Sequence, residues 1–162
     1  MNGSSKGADP MSQSTNPDAV LSTERVLSAS PQQVFAAFEN PSRLAMWWGP
    51  SGFTNTFELF EFTPGGRWVF TMHGPDGANY ANDSLFREIQ PGARIVIEHV
   101  LQPWFRLTVT LTARGDQTHL AWDQEFESPE MTERFRPLSK SANEQNLDRL
   151  EAVLASTRAG GL

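Results

Sequence analysis

Cysteine is absent from the 162 residues, which excludes disulfides, thiolate zinc sites, cysteine nucleophiles and thiol redox chemistry. Basic charge is short as well. Lys and Arg number 13 against 19 Asp and Glu, giving a net charge of −6 and a pI near 5.0. Nucleic acid or an anionic membrane surface calls for the opposite balance, so neither is an expected partner. No apolar run approaches the ~18 residues of a membrane helix, so no stable membrane insertion is expected. There is no H-E-x-x-H or comparable metal-ligand spacing, no G-x-S-x-G elbow and no glycine-rich phosphate loop with a lysine. Neither a metal nor a cofactor is expected. What the chain does hold is aromatic: Phe 11, Trp 5 and Tyr 1, 10% of its residues. A chain of this length builds one domain, and that aromatic load implies a real core or pocket.

From Met1 to Asp18 only Met1, Ala8 and Met11 are apolar. Such a segment cannot bury enough surface to offset its ordering entropy, so residues 1–18 are read as a tail. Met1 to Pro10 resembles an added leader, with Met11 as the natural start. Nothing in the segment looks like a secretory signal, which makes the cytoplasm the default location. A single domain is expected over residues 19–158, with a flexible terminus at 159–162 around Gly160-Gly161.

Val20 to Ser28 reads as a first strand at an edge. Ser30-Pro31 is a helix start, a hydroxyl N-cap before a proline at the first helical position. Val34, Phe35 and Phe38 give that short helix an apolar face, and Asn40-Pro41 ends it. A second short helix spans Ser42 to Trp48 before Gly49-Pro50. The period then changes to two. Strands are expected at Phe53–Phe62, Arg67–His73, Asn79–Ile89, a segment with Ile95, Ile97, His99 and Leu101 on one face, Phe105–Thr112, and Leu120–Phe126. Turn signals recur roughly every 10 residues, the mark of an antiparallel meander. After Ser128-Pro129 the period is helical, and Leu147, Leu150, Val153 and Leu154 form its apolar stripe. Pro137 is expected to break or kink the approach, separating residues 130–136 from 138–157. The sheet's apolar face needs a cover, and the last helix is the only element long enough. The expected class is α+β, a helix-grip arrangement with a curved antiparallel sheet around the C-terminal helix.

Trp47-Trp48-Gly49-Pro50, Pro64-Gly65-Gly66-Arg67-Trp68, Ile89-Gln90-Pro91-Gly92-Ala93-Arg94 and Asn146-Leu147-Asp148-Arg149-Leu150 follow one another in order. With these motifs the chain resembles the family of homologues of the activator of the heat-shock protein 90 ATPase. That family sits in the START-like, birch-pollen-allergen-like (SRPBCC, polyketide-cyclase-like) superfamily, and the resemblance covers about Ala19 to Ser156. It implies the helix-grip fold, and either ligand binding, cyclase- or hydrolase-like catalysis, or a chaperone-associated stress-response role. One departure stands out. Relatives often carry Gly-Trp where this chain has Ala142-Asn143.

At ~100° per residue, Leu147, Leu150 and Leu154 share a helix face with Ser139, Asn143 and Asn146. The second half of that face is apolar and the first half polar. Two readings stay open: a solvated helix end, or the polar wall of a cavity. Trp68, Phe70 and Met72, with Phe105, Trp122 and Phe126, would face the helix from the sheet, either as plain core or as cavity wall. Trp47 and Trp48 either anchor the short helices or form a mouth. Of the histidines, His73 and His119 are expected at the surface. His99 is the buried titratable candidate, as a core residue or as a cavity group. Asp83 and Glu98 would serve as a base only if the registers slipped by one.

The candidate ligand cavity thus comprises Trp48, Trp68, Phe70, Met72, His99, Phe105, Trp122, Phe126, Ser139, Asn143 and Asn146; no catalytic residue is assigned. The expected function is binding of a small apolar molecule, lipid-like or aromatic, between sheet and helix. The alternatives are an enzyme that works by positioning in that cavity, or a module that binds a chaperone ATPase. The chain is expected as a monomer or a homodimer.

Overall fold

The computed structural model describes residues 16–159. The readings for residues 1–15 and 160–162, including the leader, the natural start and most of the flexible terminus, lie outside the described residues. Pro17–Ala19 form a 3-10 turn that leads into the first strand.

Seven strands follow: β1 (Val20–Leu27), β2 (Thr54–Phe60), β3 (Arg67–His73), β4 (Asn79–Gln90), β5 (Arg94–His99), β6 (Phe105–Arg114) and β7 (Gln117–Phe126). They make one curved antiparallel sheet in the order β1-β7-β6-β5-β4-β3-β2. It is a meander whose first strand has crossed to pair with the last. Between β1 and β2 lie α1 (Pro31–Glu39) and α2 (Pro41–Trp47), and α3 (Pro129–Ala159) ends the described chain.

The short helices start where their caps require. Ser30 Oγ accepts from the Gln33 amide at 3.2 Å, and the Ser30 amide donates to Gln33 Oε1 at 2.8 Å, a full capping box. Asn40 closes α1 and opens α2, its Oδ1 accepting from the Ser42 and Arg43 amides. Inward residues alternate along each strand: Ile95, Ile97 and His99 in β5, Leu107, Val109 and Leu111 in β6, Leu120 and Trp122 in β7. Leu147, Leu150 and Leu154 of α3 close the core over them, with Val34, Phe35 and Phe38 of α1 at one end.

Two expectations are corrected. Pro137 does not divide the last helix, which runs unbroken from Pro129 to Ala159. The carbonyl that loses its partner belongs to Glu133, an exposed residue, so it is not sealed in a packed face that would have to break. Leu101 does not extend the face of Ile95 and Ile97. β5 stops at His99, and Leu101 lies in the following loop, 39% exposed. No helix among the described residues is long and apolar enough to cross a membrane.

Candidate functional site

A cavity of about 170 Å³ lies between the concave face of the sheet and the middle of α3. The period-two alternation supplies its floor: Phe70 and Met72 from β3, Asn82 and Ser84 from β4, Ile97 and His99 from β5. Phe105 and Leu107 of β6 and Trp122 and Gln124 of β7 continue it. Ala142, Asn143 and Asn146 of α3 form the roof, and Trp48, Gly49 and Pro50 the side.

The polar half of the α3 stripe is therefore no solvated end. Asn143 and Asn146 are buried, at 9% and 6% exposure. Asn143 Nδ2 donates to Gln124 Oε1 at 3.0 Å, and Asn146 Nδ2 donates to the Trp47 carbonyl at 2.8 Å. The Asn143 and Asn146 carbonyl oxygens and the Gln124 amino group make no further hydrogen bond among the described residues. His99 stacks on Phe105, ring centroids 4.7 Å apart and planes within 7°. Its Nδ1 lies 3.1 Å from the Pro103 carbonyl, which can only accept, so this nitrogen carries the hydrogen. Burial pushes the imidazole below its ordinary pKa, against the opposing pull of the Pro103 and Leu101 carbonyls and of Asp83. The ring is neutral at pH 7, with Nε2 left as an acceptor.

The side wall is held by α3. Arg149 Nη1 faces the carbonyls of Trp48, Gly49 and Pro50 at 3.0–3.1 Å, and Nη2 those of Met46 and Phe53 at 2.8 and 2.9 Å. Gln145 Oε1 accepts from the Ser51 amide at 3.0 Å. Gly49 has a φ of +101°, and a Cβ there would come within 2.7 Å of the Met72 methyl, so this loop also needs its glycine.

Of the expected site residues, Trp48, Phe70, Met72, His99, Phe105, Trp122, Asn143 and Asn146 come together on this wall. Trp68, Phe126 and Ser139 do not line it. Trp68 sits behind the wall, stacked on Phe70 at 4.3 Å and edge-on to Trp48 at 5.0 Å, with its buried Nε1 unpartnered. Phe126 stacks on Phe135 of α3 at 5.7 Å, and Ser139 is half-buried away from the cavity. Trp47 is an anchor, fully buried, its Nε1 donating to the Ala37 carbonyl at 3.0 Å. Sequence reasoning did not select Gln124, Ser84 or Asn82 for the site. Gln124 carried a signal, since it shares its parity with Trp122 and Phe126 and is a polar residue on an apolar face.

Two other features hold less chemistry. A groove of about 710 Å³ opens between α1, α2 and the end of α3, lined by Ala36, Met46, Val153 and their neighbours. Its polar lining is Gln33, Arg43, Ser156 and Thr157, and Arg43 Nη2 already donates to Thr157 Oγ1 at 3.0 Å. Thr56, His73 and Asn79 align as hydroxyl, imidazole and amide, with both contacts 2.7 Å, yet on the exposed face of the sheet with no concave wall beside them. Among the described residues no cluster of His, Asp or Glu could hold a metal ion.

The sequence profile of the family described as activator of Hsp90 ATPase homolog 1-like protein matches residues 28–155. A solution structure of a protein from Arthrobacter aurescens is 25% identical with a TM-score of 0.79, over 86% of this chain and 87% of that one. A crystal structure of protein NE0264 from Nitrosomonas europaea shares the fold at a TM-score of 0.82 and 17% identity, over 90% and 99% of the two chains. The AHSA1 protein of Silicibacter pomeroyi gives 0.70 at 22% identity, over 86% and 99%. No curated protein matches the chain.

Proposed function

The chain belongs to the family of activator of Hsp90 ATPase homolog 1-like proteins, and within it we propose a domain that binds a small molecule between the sheet and α3. The observation that carries this reading is the set of buried amides on the inner face. Asn143, Asn146 and Gln124 sit where apolar side chains would complete a core, and each retains hydrogen-bonding capacity beside the cavity it lines. Leaving such groups unmet costs roughly 1–3 kcal/mol apiece, so the arrangement suits a polar occupant.

The volume bounds that occupant. Drug-sized ligands take cavities of roughly 300–1,000 Å³. At about 170 Å³ this one suits a small ring and not the lipid-like chain that the sequence also allowed. A catalytic reading has one observation in its favour. His99 is the titratable side chain on the wall and keeps a free acceptor nitrogen. The chaperone-partner reading rests on family membership alone.

Native mass spectrometry of the purified protein, followed by denaturing extraction and amide NMR titration with small neutral aromatics, tests the proposal. A co-purifying molecule, or shifts that cluster on β5, β7 and the middle of α3, is the expected result. An empty protein whose resonances no compound moves at those positions would overturn it.

A further inference from the structure

The wall of the cavity says which chemistry it would accept. Resting on the binding reading above, we infer that the ligand is a neutral, single-ring molecule that presents an O–H or N–H donor to Nε2 of His99.

Size sets the ring count. A dry cavity of roughly 150 Å³ holds one benzene ring. The space here is about 170 Å³, which leaves room for one ring and a polar substituent. Shape agrees with a flat occupant, because the walls are themselves flat. His99 and Phe105 form one stacked pair, and Trp48 and Trp122 pack against each other at 5.6 Å with planes 37° apart.

Charge comes next. No Asp, Glu, Lys or Arg is among the lining residues. The guanidinium of Arg149 is committed to the carbonyls of the loop that carries Trp48. An anion or a cation entering this space would give up its hydration and meet no counter-charge, which excludes both.

Donor and acceptor capacity decides the polarity of the substituent. With Nδ1–H given to the Pro103 carbonyl, His99 Nε2 can only accept. Asn143 and Asn146 each spend one amino hydrogen on a protein acceptor, which leaves a carbonyl oxygen and one N–H apiece. Gln124 offers the opposing amino group. The amides and the Ser84 hydroxyl can each donate as well as accept and the indoles of Trp48 and Trp122 donate, whereas His99 Nε2 accepts only, so the ligand that complements it carries hydrogen to give, as a phenol or an N–H heteroarene does.

Phenol, toluene and benzoate separate these statements, since phenol and toluene have nearly the same shape. Titration of the full chain at pH 7.5, followed by amide NMR, should show phenol binding about tenfold more tightly than toluene. Benzoate should bind more weakly than either. His99→Leu should bring phenol and toluene to the same affinity. If that variant does not fold, the wild-type pH dependence replaces it. Protonating His99, whose charged neighbour is Asp83 on β4, should weaken phenol and spare toluene. Equal affinity for phenol and toluene, or preference for benzoate, would overturn the inferred ligand class and leave the binding reading standing. Failure of all three to move cavity resonances would overturn the binding reading itself.

Discussion

Replacing Arg149 with methionine removes one guanidinium and tests how the cavity wall is held. Five carbonyls, of Met46, Trp48, Gly49, Pro50 and Phe53, lie 2.8–3.1 Å from its two terminal nitrogens. Those nitrogens carry only four hydrogens, so three of the carbonyls share the pair on Nη1 and the set amounts to four full bonds at most. Hydrogen bonds to a charged group contribute about 1.5–3 kcal/mol each when shielded. The loop is half-open to water, which replaces part of each lost bond, and about 3 kcal/mol is a reasonable total. Methionine keeps most of the stem's packing, so the loss reports the guanidinium and not a hole. Burial already holds the Arg149 pKa below its ordinary value, as expected of a cation balanced by carbonyl dipoles with no carboxylate in contact. Urea unfolding with unchanged m-value would measure the loss, and Arg149→Lys should recover less than half, because an ammonium cannot reach both sides of the loop. Binding of a ring-sized probe should weaken in parallel as Trp48 loses its fixed position. A loss below about 1 kcal/mol for Arg149→Met would refute the clamp, since ordinary surface substitutions cost no more.

Other perturbations probe separate parts of the argument. Trp68→Ala should destabilise by about 3–5 kcal/mol in the same assay, the cost of deleting a fully buried ring. Asn143→Trp should abolish probe binding, because its ring system fills the cavity; a variant that still bound, at an overpacking cost of about 1–3 kcal/mol, would remove Asn143 from the wall. Arg25→Gln breaks contacts of 2.7, 2.7 and 2.9 Å to Glu144, Asp148 and Glu151; with all three carboxylates partly exposed, the loss should be about 1–2 kcal/mol and shrink in high salt. His99 binds its proton less readily in the folded chain, so its contribution to stability is complete above pH 6.5 and is lost as pH falls toward its depressed folded value. Urea midpoints measured from pH 8 to pH 5 should decline through that window in wild type and decline less in His99→Leu.

Much of the fold was legible because its signals are local. β3 runs from Arg67 to His73, as the alternation of Trp68, Phe70 and Met72 required, and α1 starts at Pro31 behind the Ser30 cap. The errors came where solvent changes the cost of a rule. Pro137 breaks a helix only if the freed carbonyl has nowhere to turn, and Glu133 is exposed. Ser84 and Asn82 were unreadable for another reason. β4 carries a bulge between Phe86 and Glu88, so the facing of its residues cannot be counted back from its far end. The polar half of α3 was visible as an anomaly, but whether water or a cavity lay beyond it depended on the sheet's curvature, which no single strand encodes.

The clamp was hidden for a more general reason. Charge-pattern reading looks for a carboxylate to match each arginine, and Arg149 is matched by backbone carbonyls that every residue carries. Yet its consequence was in view, as two motifs that recur in order across roughly a hundred residues. Asn146 and Arg149, one helical turn apart on α3, grip the chain from Met46 to Phe53, and the adjoining Leu147 and Leu150 anchor the helix in the core. The Trp-Trp-Gly-Pro loop and the Asn-Leu-Asp-Arg-Leu turn are therefore two halves of one device. Gly49 admits the Met72 methyl, Trp48 becomes a wall, and the guanidinium holds the corner between them. A cavity can survive in a core that would otherwise collapse only if something rigid keeps its side open, and this loop is that part.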